Sequence, residues 1–87
     1  MEIFYHKKFL KAFLKLTLKQ QEKVDDAIAL FRRDPHDPAL FNHALHGKEQ
    51  GKRAISAGGD LRLIFEEEDD YRRVIFVRVG THSQVYK

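Results

Sequence analysis

Lys52-Arg53-Ala54-Ile55-Ser56-Ala57-Gly58-Gly59-Asp60-Leu61-Arg62-Leu63-Ile64-Phe65-Glu66 is the stretch on which the fold turns. Two runs of alternating character flank a Gly-Gly pair, the strongest kind of short-range signal for a β-hairpin, because glycine enters the positive-φ turn region at no steric cost. The runs 52–57 and 60–66 therefore read as paired antiparallel strands. Leu61, Leu63 and Phe65 share one face, and Arg62 shares the other with Ile64. In the first run Ile55 and Ala57 turn toward a core, which puts Lys52, Ala54 and Ser56 opposite.

Outward from this hairpin, Glu66-Glu67-Glu68-Asp69-Asp70 is a solvated turn leading to a further strand over 72–79. Strict alternation there places Ile75, Val77 and Val79 on one face and Val74, Phe76 and Arg78 on the other. A last extended piece over 83–86 closes the sheet or lies along its edge, with Val85 inward and His82, Gln84 and Tyr86 outward. Toward the N-terminus, residues 2–5 read as a short strand. Phe9, Leu10, Phe13, Leu14 and Leu16 recur at helical spacing among Lys7, Lys8, Lys11 and Lys15, as in an amphipathic helix. Thr17 with Gln20 is a capping box opening a second helix, lined by Val24, Ala27, Ile28 and Phe31. Asp34-Pro35 ends it, with Arg32 and Arg33 complementing the dipole. Asp34 to Gly51 is a connecting loop with a helical turn near Leu40. The order β-α-α-β-β-β groups helices before strands. The class is α+β, a mostly antiparallel sheet with a helical hairpin on one face, and residues 1–87 form a single domain.

Composition narrows the function. The chain has 87 residues, 43% of them hydrophobic, with seven Phe and no Cys. That suffices for one modest core and offers neither disulfides nor thiolate metal sites. The first residues lack the pattern of a secretory signal and no apolar run is long enough to span a membrane, so a cytoplasmic protein is expected. The net charge of +3 conceals an asymmetry: outside the acidic turn, sixteen Lys and Arg face eight acids. Such a balance suits a polyanionic partner.

The residues able to do chemistry fall mainly on the sheet face away from the helices. Arg62 and Arg78 interrupt apolar strands and have the fork geometry that grips phosphate oxygens. His82 and Tyr86 stand four apart on one side of the C-terminal segment, and a solvated edge is the plainer reading of that pair. His43 is a candidate proton acceptor in the loop. Asp60 is most simply a turn residue, or else orients a histidine. His36, His43 and His46 lack a completing carboxylate or cysteine set, so no metal site and no cofactor are expected.

These residues bring a family into view. Asp37-Pro38-Ala39-Leu40, Asn42-His43-Ala44-Leu45-His46-Gly47, Asp60-Leu61-Arg62-Leu63-Ile64-Phe65 and Val77-Arg78-Val79-Gly80-Thr81-His82 ending in Val85-Tyr86 resemble the RelE/ParE superfamily of bacterial toxins, its YafQ branch most of all. The resemblance implies a type II toxin that enters the ribosomal A site, contacts rRNA and cuts mRNA without a metal. It also implies a cognate antitoxin, with a toxin–antitoxin heterotetramer as one assembly. By the same resemblance the catalytic group is His43, Asp60, Arg62, Arg78, His82 and Tyr86. Lys52, Arg53, Ser56 and Gln84 are the expected RNA contacts. Two positions depart from the pattern: Ser56 stands where YafQ-like proteins resemble one another in a second histidine, and Leu61 where they have tryptophan. Two other readings are a ParE-like toxin that acts by binding DNA gyrase, and a catalytically decayed toxin kept as an interaction module.

Overall fold

A computed structural model describes residues 1–86. The chain runs through β1 (Glu2–Tyr5), α1 (Lys7–Leu14), α2 (Leu18–Arg33), β2 (His43–Ala44), β3 (Arg53–Ser56), β4 (Leu61–Glu68), β5 (Arg73–Thr81) and α3 (His82–Val85), with single 3₁₀ turns at Pro38–Leu40 and Gly47–Glu49. The five strands form one sheet in the order β1-β5-β4-β3-β2. β1 runs parallel to β5 and every other pairing is antiparallel. This is the expected α+β class.

Local chemistry sets the helix ends. The Thr17 hydroxyl accepts from the Gln20 backbone N–H at 3.1 Å, and the Gln20 side-chain oxygen accepts from the Thr17 N–H at 3.0 Å. Two donors that a helix start would leave bare are thus satisfied reciprocally. α1 and α2 pack their apolar side onto one face of the sheet, where Phe9, Val24, Ala27 and Phe31 meet Leu61, Leu63, Phe65, Val74, Phe76 and Val79. Phe31 is the hub: its ring lies 4.9 Å from Phe65 and 5.4 Å from Phe76, both edge to face. The apolar stripe expected on α1 is wider than the surface it covers. Phe9, Phe13 and Leu16 pack inward, but Leu10 and Leu14 are exposed.

The hairpin forms at Gly58-Gly59, both with positive φ (92° and 53°), the backbone geometry for which glycine is suited. Ser56 faces Arg62 and Ile55 faces Leu63 across it. On β5, strict alternation fails. Ile64 pairs with Arg78 but Phe65 pairs with Phe76, so Val77 is an extra residue, a β-bulge. A one-residue insertion reverses the faces of everything on one side of it. Val74 and Phe76 therefore lie in the helix-facing core, not outside with Arg78, while Ile75 and Val77 are only half-buried. The end of the chain also departs from expectation. Residues 82–85 are a helical turn, not an edge strand, and the loop contains a further short strand, β2.

Candidate functional site

Cross-strand partners share a face, so the pairings list what the helix-free side of the sheet carries. His43 faces Ala54, Ala54 faces Ile64, Ser56 faces Arg62, Arg62 faces Gly80, and Ile64 faces Arg78. This side is not bare. α3 folds back over it and buries Val85 against Ala54 and Ile64, with Leu45, Val77 and Tyr86 around them.

α3 owes its shape to a second capping box. The Gln84 side-chain oxygen accepts from the Thr81 N–H at 2.8 Å, and the Gln84 N–H donates to the Thr81 hydroxyl at 3.4 Å. The His82 N–H donates to the Asp60 carbonyl at 3.0 Å, tying the turn to the hairpin. Helical geometry matters here: four residues of extended chain would hold His82 and Tyr86 about 13 Å apart, whereas one turn brings them into contact. Their rings meet edge to face at 4.6 Å. Gly80 leaves room for this fold-back, since a Cβ there would lie 2.7 Å from the Gln84 side-chain oxygen. Replacing Thr81 with alanine is expected to cost about 1 kcal/mol through loss of the cap. Hydrogen exchange checks this: the Tyr86 amide should exchange faster while amides of β4 keep their protection.

His43, Leu45, Arg62, His82 and Tyr86 line one open cleft of about 330 Å³. The His43 Nδ1 lies 2.8 Å from the Phe41 carbonyl oxygen. A carbonyl can only accept, so Nδ1 carries the proton and a neutral His43 offers its Nε2 lone pair to the cleft. Arg62 is held by Nη1, which donates to the carbonyls of Gly59 (3.0 Å) and Leu61 (2.9 Å) and to the Ser56 hydroxyl (3.3 Å). Its Nη2 makes no bond to protein among the described residues and is free for an anion. Burial pushes the Tyr86 phenol above its ordinary pKa, opposed by the charges of Arg62 and Arg78 and assisted by Glu49. Tyr86 is thus a neutral hydrogen-bond donor at neutral pH.

The other expected residues are placed differently. Asp60 is exposed and reaches the site through its backbone carbonyl; the partner of His43 is Phe41, not the Asp60 carboxylate. Arg78 lies outside the cleft lining, with its guanidinium paired to Glu49. That hydrogen bond is the main cause holding the Glu49 carboxyl below the usual range. Lys52 also pairs with Glu49, at 3.5 Å. Arg53 faces Phe65 and donates through Nε to Asn42 Oδ1 at 2.8 Å, while Asn42 bonds the Pro35 carbonyl and the Tyr71 hydroxyl. Arg53 therefore braces the loop on the helix side of the sheet, away from the cleft. Gln84 is consumed by its cap. Ser56 stays on the cleft side, with its hydroxyl on Gly58 N–H and Arg62. Leu61 is buried in the helix-facing core, so the departure at that position alters packing and not the cleft. Sequence reasoning passed over Phe41, whose carbonyl sets the His43 tautomer, and Glu49. Glu49 had a signal: it is the lone acid among Lys48, Lys52 and Arg53.

No group of three His, Asp or Glu among the described residues is placed to hold a metal ion. No helix among them is long and apolar enough to cross a membrane.

A family model described as bacterial toxin of type II toxin–antitoxin system, YafQ, matches residues 1–87. Among solved structures, a copper-bound point mutant of a toxin from Helicobacter pylori is 30% identical over 99% of each chain, with a TM-score of 0.78. YafQ from E. coli is 24% identical, covers 99% of this chain and 98% of its own, and superposes with a TM-score of 0.80. The E. coli DinJ–YafQ toxin–antitoxin complex matches at 25% identity and a TM-score of 0.77, over 99% of this chain and 97% of that one. No curated protein sequence matches the chain.

Proposed function

The chain belongs to the YafQ family of type II toxin–antitoxin toxins, and from that premise we propose that it is a metal-independent endoribonuclease that cuts mRNA on the ribosome. The observation that supports this reading is the convergence of His43, Arg62, His82 and Tyr86 on one cleft.

Cleavage by the ribose 2′-hydroxyl needs a base for that hydroxyl, a cation beside the phosphorane and an acid for the 5′-oxygen that leaves. The products are a 2′,3′-cyclic phosphate and a 5′-hydroxyl. His43 Nε2 is the base, oriented by its Nδ1–H bond to the Phe41 carbonyl. His82, across the cleft, is the acid. Arg62 stabilises the phosphorane, a contribution of about 2.7–4 kcal/mol for a single well-placed donor. The Tyr86 phenol donates to the scissile phosphate or stacks on a base, and its contact with the His82 ring holds the acid in place. Ser56 supports Arg62, and with no second strand histidine both proton transfers fall to His43 and His82. An open cleft orients RNA poorly, and the ribosome supplies the missing alignment. By likeness to the DinJ–YafQ complex, the protein partner is a cognate antitoxin, and the basic balance of the chain suits an acidic or partly disordered one.

A translating extract tests the reading. Added purified protein should yield mRNA fragments ending in 2′,3′-cyclic phosphate, mapped by primer extension, with DNA gyrase supercoiling unaffected. Intact mRNA together with inhibited supercoiling would replace this reading with the ParE-like one.

A further inference from the structure

A second open groove, of about 320 Å³, has Val77 and Arg78 of β5 in its lining. Its cations are Lys8 from the first turn of α1, Lys48 from the 3₁₀ turn, Lys52 just before β3 and Arg78 from β5, and His6 also lines it. One carboxylate, Glu49, is held among them. It accepts from Arg78 and from Lys52, whereas Lys8 and Lys48 have no carboxylate partner among the described residues. Glu66 is the second carboxylate of the lining. The Nε of Arg78 is buried without a hydrogen-bond partner among the described residues.

A carboxylate held by one guanidinium nitrogen of Arg78 and by Lys52, next to the unpaired Lys8 and Lys48, occupies the position an anion would take. Four lysines and arginines against two carboxylates leave the groove positive even with Glu49 in place. Arg78 is near enough to the cleft for its charge to act on the Tyr86 phenol, yet it is not among the residues that line the cleft, and its guanidinium pairs with Glu49. The β-bulge at Val77 is what lets β5 present Arg78 to this groove while Phe76 returns to the core.

We propose that this groove is a second phosphate subsite, for the RNA backbone next to the scissile bond, and that Glu49 is a built-in competitor that fills it in the free protein. The inference rests on the nuclease reading for the identity of its ligand. RNA displaces the Glu49 carboxylate, frees Arg78 and Lys52, and gains Lys8 and Lys48 as further contacts. Glu49 thereby weakens binding of short RNA by the free toxin. It sets a threshold that only RNA held at high local concentration, as on the ribosome, overcomes.

The test separates binding from cleavage by using a labelled 2′-O-methyl RNA hexamer, which lacks the attacking hydroxyl. Glu49→Gln should bind it roughly three- to fivefold more tightly than the unaltered protein, the upper part of the range that loss of one partly screened charge contact allows. Asp70→Asn, with the same change in net charge at the remote hairpin tip, should change affinity less than twofold. In an Arg78→Ala background the gain from Glu49→Gln should vanish. Lys8→Ala and Lys48→Ala should each weaken binding and lower the slope of log affinity against log salt by about one. Equal gains from Glu49→Gln and Asp70→Asn, or a gain that persists without Arg78, would overturn the proposal. Weaker binding by Glu49→Gln would do so as well, and would make Glu49 a support for Arg78. None of these readings depends on turnover, so a failed cleavage assay and a failed subsite remain distinguishable.

Discussion

Replacing His82 with alanine should lower mRNA cleavage in a translating extract by about 10²–10⁴-fold, the range for loss of a positioned general acid. The stability of the domain should hardly change. The side chain is exposed, and its described contact is the edge-to-face pairing with Tyr86. The backbone N–H that ties α3 to Asp60 survives the substitution, as do the Thr81–Gln84 cap and the burial of Val85. A collapse of activity at unchanged urea midpoint therefore reads as chemistry. Tyr86→Phe, which keeps the ring and removes the phenol, is the companion: it retains the ring pairing and reports the hydroxyl alone. If His82→Ala cuts mRNA as fast as the unaltered protein, His82 is not the acid, and the arrangement of the cleft has to be assigned anew.

The largest effect on stability should come from Phe31→Ala. Phe31 is fully buried where α2 meets the sheet, with the rings of Phe65, Phe76 and Tyr71 all within 6 Å of its centroid. Truncation removes the transfer free energy of the ring and leaves a cavity that three other rings cannot close, a cost of about 3–5 kcal/mol. A domain of this size holds roughly 4–13 kcal/mol in total, so the variant should lose about a quarter or more of its stability. Phe41→Ala is the contrast, because Phe41 is 72% exposed and its loss should shift stability by no more than about 0.5 kcal/mol. Urea titrations of the three proteins decide it. A cost below about 1 kcal/mol for Phe31→Ala would mean that the helix–sheet interface repacks freely and that this cluster is not the centre of the core.

Much of the architecture was legible because its causes are local. The Gly58-Gly59 turn, the Thr17–Gln20 capping box and the alternation of Leu61, Leu63 and Phe65 are each decided within a few residues of chain, and each is found as read. The same kind of signal was present at the C-terminus. Thr81 and Gln84 repeat the spacing of Thr17 and Gln20, yet the tail was expected to be extended because an alternation of apolar and polar residues also fits it. There the capping box was the better guide. The bulge at Val77 had no such signal. An apolar residue inside an apolar run reads identically whether it is paired or extra, and the choice falls to whichever register buries Phe76 against Phe31 and Phe65.

The site divides along the same line. Composition and pattern named the groups able to handle a phosphodiester and assigned Arg62 to the face away from the helices, because strand periodicity is a property of the chain itself. Which of those groups meet is a property of the folded molecule. Helical winding of residues 82–85, burial of Val85 and the bonds to Phe41 and Asp60 bring His82 and Tyr86 to His43 and Arg62. Pairing with Glu49 takes Arg78 into the neighbouring groove, while a bond to Asn42 fixes the Arg53 head group on the helix side, where alternation with Ile55 had already put that residue. Side-chain reach and charge pairing act across segments far apart in sequence, and only the packed tertiary structure sets those distances.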